Sequence, residues 1–195
     1  MLSNLESCDQ NVLDKDQQKL LADSKNVSAN VDGVPKRGII EKQYVHDVYE
    51  KIAGHFSDTR YNPWPAIKNY LLALEKHSIV ADVGCGNGKY LGVNPQLVMI
   101  GTDITLNLLK ICQSRDFNVF GADNLNLPIK DHLFDHAISI AVIHHFSTEE
   151  LRLRALQEIL RIVKVGGTAL VSAWALEQQT NKSKNFDGKN QDVFV

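Results

Sequence analysis

The amino-acid sequence predicts an α/β fold built on a doubly wound parallel sheet, and three observations support that prediction. Short apolar runs of strand length alternate with helical patterns from residue 79 to residue 174. The first three runs each end at or beside an aspartate. The first run also leads into glycines on alternate positions, at Gly84, Gly86 and Gly88. Strands that alternate with helices form a parallel sheet through right-handed crossovers, so their carboxyl ends meet at one edge.

Composition limits the class of protein. The 195 residues include 44% hydrophobic residues and have a net charge of −2, which fits one globular domain with tails. No apolar run approaches the roughly 18 residues of a membrane span, and the first ten residues lack the apolar region of a secretory signal. Three widely spaced cysteines without a CxxC pair favour free thiols over disulfides or a zinc site. We expect a cytoplasmic protein, which can also be nuclear, without a membrane partner or a bound metal.

The chain divides into three parts. Residues 1–38 are rich in polar residues and show no sustained period, which predicts a disordered N-terminal arm. Residues 39–176 hold the periodic apolar patterns of the folded domain. Residues 177–195 form a polar C-terminal segment. The functional residues are therefore expected in the middle part.

Two helices are predicted ahead of the sheet. Apolar residues recur at helical spacing between positions 44 and 52, and Gly54 is the expected end of that helix. Pro65 opens a second helix that runs through Leu74, because proline suits the first turn of a helix. Since both helices precede the first strand, we expect them to fold over a bound ligand as a lid.

Five strands and two further helices are predicted after that lid. The strands are expected at residues 79–83, 97–103, 117–122, 134–140 and 168–174. One helix spans Leu106 to Gln113. The clearest helix spans Thr148 to Val163, with Ser147 or Thr148 as its cap. Gly166 and Gly167 are expected to end it.

Three aspartates at successive strand ends predict an adenosine site. Asp82, Asp103 and Asp123 line one edge if the first three strands lie side by side. Asp103 is placed to accept hydrogen bonds from both hydroxyls of a ribose. Asp123, or the backbone amides of Asn124 and Leu125, are placed to take the amino group and a ring nitrogen of adenine.

A nicotinamide dinucleotide is the alternative ligand for the glycine loop. Its fingerprint requires a third glycine where Lys89 stands, and Asp82 would repel a pyrophosphate. A cofactor with a cationic amino group and a sulfonium, but no phosphate, fits better, which favours S-adenosylmethionine. We assign Asp82, Gly84, Cys85, Gly86 and Gly88 to its binding loop. Cys85 is interpreted as a small packing residue; a nucleophile is the alternative.

The loop also resembles a known motif. Residues 82–90, with the sequence DVGCGNGKY, resemble motif I of class I S-adenosylmethionine-dependent methyltransferases. Further segments are similar to the tRNA wobble-uridine carboxymethyl methyltransferases, which include the methyltransferase domain of the AlkB-type tRNA hydroxylase fusion. These segments are 44–52, 56–60, 64–65, 140–146 and 171–178.

The resemblance implies a reaction and its partners. The reaction is methyl transfer to the carboxylate of a carboxymethyl group on the wobble uridine of tRNA. The implied partners are tRNA and a small zinc-binding activator subunit. A carboxylate nucleophile is already ionised at neutral pH, so no general base is needed. The iron ligands of the hydroxylase have no counterpart here, so we expect methyl transfer without oxidation.

Three residues are candidates for the acceptor side. Arg60 is placed to orient a carboxylate, because a guanidinium binds it in a forked geometry; a surface salt bridge is the alternative. His144 and His145 follow the fourth strand and are candidates for hydrogen bonds to a uracil carbonyl or a carboxylate. The alternative is that one of them is a satisfied core histidine.

Sheets of the resembled family end in an antiparallel strand pair after the fifth strand. This sequence stops before that pair, so we expect a Rossmann-like sheet that lacks it. Three classes of function stay open: methylation of tRNA, methylation of a small-molecule acid, and non-catalytic binding of the cofactor or of a partner protein.

Overall fold

The computed structural model describes residues 39–174, with side chains from residue 40 onward. The predicted N-terminal arm, 1–38, and the predicted C-terminal segment, 177–195, lie outside the described residues.

A single sheet of five strands organises the described residues, in the order β3-β2-β1-β4-β5. The strands are β1 (Ile79–Val83), β2 (Val98–Asp103), β3 (Val119–Gly121), β4 (Phe134–Ile140) and β5 (Val163–Ser172). All four neighbouring pairs within residues 39–174 are parallel. The strand order reverses at β1, and a crevice at such a switch point is where open α/β sheets bind ligands. The predicted α/β doubly wound sheet is confirmed.

Helices cover both faces of this sheet. They are α1 (Ile39–Glu41), a π-helical stretch (Lys42–His46), α2 (Asp47–Thr59), α3 (Pro65–Ala73), α4 (Leu106–Gln113), a 3-10 turn (Ile143–His145) and α5 (Glu149–Ile162). Thr148 caps α5, as the sequence predicts: its hydroxyl accepts a hydrogen bond from the Leu151 amide at 3.3 Å.

Helix α2 corrects one prediction, because it runs straight through Gly54 and ends at Thr59, with Arg60 as its C-cap. A glycine inside a helix costs about 1 kcal/mol relative to alanine. Here the buried residues Ala53 and Ser57 hold the helix on both sides of Gly54. Tertiary packing therefore overrides the local signal to stop.

Strand β5 corrects a second prediction. It begins at Val163, directly after α5, so Gly166 and Gly167 lie inside the strand and do not end the helix. The pairing with β4 shifts at this point, and the extra residues of β5 form an irregularity of the bulge type. Gly166 has φ +84°, and a Cβ on Gly167 would lie 2.3 Å from the Asp135 carbonyl oxygen. Gly166 allows the positive φ and Gly167 allows the close backbone approach that this irregularity requires.

The core holds β1 rigid up to the glycine loop. Residues of β1 alternate between two apolar clusters, with Val80 in one and Ala81 and Val83 in the other. All three are fully buried. The loop that follows therefore starts from an immobile strand end.

Candidate functional site

The glycine loop after β1 has a backbone that only glycine adopts easily. Gly84, Gly86 and Gly88 all have positive φ, at +80°, +55° and +75°. A Cβ on Gly84 would lie 2.5 Å from a methyl group of Val142, whereas a Cβ on Gly86 would meet only the ring of Phe56, at 3.7 Å. The backbone at Gly86 is therefore the part of the loop that a ligand can approach.

Asp103 joins the end of β2 to this loop. Its carboxylate accepts hydrogen bonds from the Gly86 amide and the Thr105 amide, both at 2.8 Å. Burial raises the pKa of Asp103, and these two amides oppose the rise. The position predicted for binding the ribose hydroxyls is therefore buried and held to the glycine loop by hydrogen bonds.

Asp82 is a buried carboxylate with an oxygen that lacks a partner. It is 1% exposed, and its Oδ2 accepts no hydrogen bond. Burial and the neighbouring charge of Asp103 raise its pKa to about 7, while Lys89 lowers it. A bound cationic amino group would supply the missing partner. The methionine end of S-adenosylmethionine carries such a group, so this residue fits the cofactor.

The turn after β3 differs from the prediction in one contact. The Leu125 amide donates to Asp123 Oδ1 at 2.9 Å, so it is already used inside the turn. The side chain of Asn124 lies against the glycine loop, with Nδ2 3.3 Å from a Cβ placed on Gly84. Its Oδ1 is buried and has no partner. The unpartnered Oδ1 of Asn124 is thus buried beside the glycine loop, and the assignment of Asp123, Asn124 and Leu125 to adenine stays a prediction.

A cavity of about 420 Å³ extends from this turn to the first helices. Its walls are formed by Glu41, Lys42, His46, Asp47, Glu50, Ile104, Leu106, Asp123, Leu125 and Phe146. The apolar members come from the sheet edge and suit a flat adenine ring. Apart from Asp123, the charged members come from α1, the π-helical stretch and α2, which form the outer wall.

Cys85 is a packing residue. Its Sγ would lie 2.8 Å from a Cβ on Gly101, so it fills the space beside β2. A hydrogen bond with Cys112, burial, and the carboxylates Asp82 and Asp103 raise the pKa of its thiol. A buried thiol with a raised pKa is a poor nucleophile, so the interpretation as a packing residue stands.

Long-range contacts that the sequence did not reveal hold the first helices over the loop. Glu50 on α2 accepts hydrogen bonds from the amides of Leu106 and Asn107, at 2.6 and 3.1 Å, and so caps α4. Glu41 accepts from the amide and hydroxyl of Ser147, at 2.9 and 2.6 Å. Because these partners lie 56 to 106 residues apart in sequence, no local pattern indicates them. These contacts fix α1 and α2, whereas α3 packs into the core through Ile67 and Leu71; a lid over a bound ligand stays a prediction.

Arg115, which follows α4, fixes the C-terminal end of α2. Its guanidinium donates to the Asn87 carbonyl at 2.8 Å and to the Ser57 hydroxyl at 2.9 Å. The side-chain amide of Asn87 donates in turn to the Arg60 carbonyl at 3.2 Å. The end of α2 and the glycine loop are thus tied together.

Arg60 lies beside the loop with its guanidinium exposed. Its Cζ is 5.2 Å from the ring centroid of Phe56, and Nη1 donates to the Thr59 hydroxyl at 3.2 Å. Ion pairs between residues 39 and 174 are formed by Arg161 and Lys164, and none by Arg60. The surface salt bridge considered for Arg60 is therefore not made in this part of the chain.

His145 pairs with Tyr49. In the sequence, Tyr49 is only one of the apolar residues at helical spacing between positions 44 and 52. Tyr49 Oη lies 3.3 Å from His145 Nε2, and the two rings meet edge to face at 5.5 Å. Burial, His144 and His46 lower the pKa of His145 to about 4, so its imidazole is neutral at pH 7. Burial raises the pKa of Tyr49, so its hydroxyl keeps its proton.

His144 is the more exposed of the two histidines. Its ring centroid lies 4.5 Å from that of His145 and 5.8 Å from that of Trp174. Partial burial lowers the pKa of His144 as well. His144 is exposed, whereas His145 is half-buried and hydrogen-bonded to Tyr49, so the alternative of a satisfied core histidine stays open for His145.

Between residues 39 and 174, no group of three or more His, Cys, Asp or Glu side chains is placed to hold a metal ion. None of the helices in this range has both the length and the apolar character needed to cross a membrane.

Comparison with known proteins defines the class. A family described as a methyltransferase domain matches residues 81–171. The complex between the Haloferax volcanii Trm112 methyltransferase activator and a methyltransferase has the same fold, with a TM-score of 0.57 and 23% identity over 66% of this chain and 60% of that chain. The fold and the glycine-loop site together are those of a class I methyltransferase.

Two curated relatives define the family. The tRNA (carboxymethyluridine(34)-5-O)-methyltransferase alkbh8 of Xenopus tropicalis is 57% identical over 146 residues, which are 75% of this chain and 23% of that protein. The tRNA (carboxymethyluridine(34)-5-O)-methyltransferase of Schizosaccharomyces pombe is 50% identical over 155 residues, which are 80% of this chain and 68% of that protein. The chain belongs to the tRNA (carboxymethyluridine(34)-5-O)-methyltransferase family.

S-adenosylmethionine is the cofactor of this site. Three features of the structure fit it: the unpartnered oxygen of Asp82, the open backbone at Gly86 and the fixed carboxylate of Asp103. Asp82 would hold the amino group, Gly86 would lie under the methionine portion, and Asp103 would hold the ribose. These assignments to individual residues remain predictions.

Proposed function

We propose that this chain methylates the carboxylate of a carboxymethyl group on the wobble uridine of tRNA. The observation that supports it best is the exposed guanidinium of Arg60 beside the donor loop, without a carboxylate partner among residues 39–174. An anionic acceptor would supply that partner. Membership of the family supports the choice of tRNA as the acceptor.

The chain's own residues have simple tasks in such a reaction. When bound, S-adenosylmethionine supplies a methyl group attached to a positively charged sulfur. The acceptor carboxylate is ionised at neutral pH, so no residue needs to remove a proton from it. Arg60 would hold the carboxylate in a forked hydrogen bond and so restrict its direction of approach.

His145 fits this reaction because its imidazole is neutral. A charged histidine next to the donor would repel the sulfonium, whereas a neutral one can hydrogen-bond a uracil carbonyl or amide without that cost. The 3.3 Å contact with Tyr49 orients the ring. His144 lies further out, where it can contact the acceptor nucleotide.

We also propose a small zinc-binding activator subunit as a partner. A Trm112 activator is bound to the methyltransferase in the Haloferax volcanii complex, which supports this proposal at the level of the fold. Co-expression of the full chain with a Trm112-type subunit, followed by purification through a tag on the chain, tests it. Failure of the two proteins to purify together would contradict it.

The methylation proposal is tested with radiolabelled S-adenosylmethionine and the purified full chain, with and without the activator. The acceptors are tRNA with carboxymethyluridine, the same tRNA already esterified, and a panel of small carboxylic acids. We expect label only in the first acceptor, released by mild alkali as methanol from an ester. Label only in a small acid would replace the tRNA proposal, and donor binding without any transfer would indicate a binding protein.

A further inference from the structure

Two large aromatic side chains stand exposed in the segment between α2 and α3. Tyr61 is 60% exposed and Trp64 is 41% exposed. Single exposed apolar residues are common on protein surfaces. Only two residues separate Tyr61 from Trp64. Tyr61 directly follows Arg60, whose carbonyl accepts a hydrogen bond from Asn87 of the donor loop. The segment therefore presents aromatic surface at the entrance to the site.

A lysine of the glycine loop completes this surface. Lys89 Nζ lies 4.8 Å from the ring centroid of Trp64 and 5.0 Å from that of Tyr90. A cation over an aromatic ring is attracted by the ring quadrupole, so Lys89 supports the indole from one side. Because Lys89 directly follows Gly88 of the glycine loop, the aromatic surface adjoins the predicted donor site.

The backbone around Trp64 is rigid. Pro63 and Pro65 flank it, and its φ of −66° and ψ of 134° are the extended conformation that a following proline imposes. Little conformational entropy is lost when such a side chain binds a ligand.

The position of Trp64 also argues against a purely local role. It is the N-cap of α3, where serine, threonine, aspartate and asparagine are preferred, and its side chain makes no capping hydrogen bond. Local helix stability therefore does not explain a tryptophan at this position.

We propose that Tyr61, Trp64 and Lys89 form a stacking platform for an unpaired RNA base next to the nucleotide that accepts the methyl group. Aromatic side chains with adjacent cations are how proteins bind the bases and phosphates of single-stranded RNA. Lys89 meets the phosphate and the two rings meet the base. The inference rests on the proposed tRNA substrate and adds the part of the chain that holds the neighbouring nucleotide.

The test measures binding of the full chain, with S-adenosylmethionine present, to a fluorescent anticodon stem-loop RNA. Fluorescence anisotropy compares Trp64→Ala, Tyr61→Ala and Trp64→Phe with Leu160→Ala, which removes an equally exposed apolar side chain from α5. Loss of stacking on one base weakens RNA binding about 5- to 100-fold for Trp64→Ala. Trp64→Phe restores most of the affinity, and Leu160→Ala leaves it unchanged.

Two controls separate this surface from the donor site and from folding. Donor affinity, measured by calorimetry in the absence of RNA, stays unchanged in Trp64→Ala and Tyr61→Ala. In methylation assays the KM for tRNA rises in these variants and kcat changes little. The melting temperature of Trp64→Phe stays at the wild-type value, so the conservative variant reports on binding even if the alanine variant unfolds.

Several outcomes would overturn the platform. They are unchanged RNA affinity in both alanine variants, equal competition by an RNA duplex of the same sequence, and loss of activator binding with RNA binding intact, which would assign the surface to a protein partner. If tRNA is methylated but these variants bind RNA normally, the platform alone fails. If RNA binding depends on Trp64 but no tRNA is ever methylated, the platform stands and the proposed reaction fails.

Discussion

The donor side and the acceptor side of this site are built in different ways. On the donor side, Asp82 and Asp103 are buried, and the loop is shaped by glycines and short backbone hydrogen bonds. On the acceptor side, Arg60 and His144 are exposed, and the contacts join distant segments, such as the 96 residues between Tyr49 and His145. Donor binding and turnover should therefore respond to different substitutions.

The two sides also differ in charge. The donor side offers buried carboxylates, which suit a cationic cofactor, while the acceptor side offers the cation Arg60 and neutral histidines, which suit an anionic acceptor. Opposite charges placed in this way would bring a carboxylate towards a sulfonium without a general base.

Asp103→Ala should have the largest effect, on donor binding. The substitution leaves the buried amides of Gly86 and Thr105 without their acceptor and removes the proposed ribose contact. We expect donor affinity, measured by calorimetry, to fall about 100-fold. Asp131→Ala is the matched control, because this exposed acid forms only a surface ion pair with Arg161. Unchanged donor affinity in Asp103→Ala would contradict the ribose assignment.

Arg60→Ala should affect the acceptor side alone. We expect turnover of tRNA to fall about 10- to 100-fold, because the carboxylate loses its orientation, while donor affinity stays unchanged. Arg60→Lys should recover only part of the rate, since an ammonium lacks the forked geometry. Lys51→Ala, an exposed cation on the same helix, is the control. If Arg60→Ala lowers donor affinity as much as it lowers turnover, Arg60 binds the carboxylate of the cofactor and not that of the acceptor.

The ionisation of Asp82 should appear in the pH dependence of donor binding. Its pKa of about 7 in the folded chain means that its negative charge, and its attraction for the donor's amino group, grow as the pH rises through 7. We expect donor affinity to rise about five- to ten-fold between about pH 6 and about pH 7.5; the upper limit is set by the donor's α-amino group, which loses its own proton near about pH 8. Asp82→Asn should bind weakly with a flat profile; an unchanged slope in this variant would assign the titration to another group.

The same pKa has the opposite effect on stability. The folded pKa of about 7 exceeds the ordinary value of 3.8, so the folded chain binds more protons than the unfolded chain between those values. The contribution of Asp82 to the free energy of unfolding is therefore largest below about pH 4 and declines as the pH rises to about 7. Urea titrations of wild type and Asp82→Asn across this window measure the difference.

Thr148→Ala should have the smallest effect. It removes the cap of α5 and should lower the free energy of unfolding by about 1 kcal/mol, while donor affinity stays unchanged. Thr148→Ser should restore the stability, since serine supplies the same hydroxyl. Urea unfolding measures both variants. A change in donor affinity with Thr148→Ala would show that the cap also shapes the loop that holds His145.

Much of the fold could be predicted because its signals are local. The α5 cap depends on Thr148 and a helix that begins at once, and the glycine loop depends on positive φ values that other residues rarely adopt. Where a local signal disagrees with the tertiary packing, the prediction from sequence fails. Gly54 reads as a helix end, yet the buried neighbours Ala53 and Ser57 keep the helix intact.

The class of fold and the likeness of the glycine loop to motif I could be predicted from the sequence, because each aspartate and the glycines directly follow or end a strand. The tertiary structure supplied the contacts that hold the first helices against the loop and against His145. Glu50, Arg115 and Tyr49 act on partners 56 to 96 residues away, and such contacts exist only once the helices have packed on the sheet. It also shows that the Leu125 amide is hydrogen-bonded to Asp123 within its own turn.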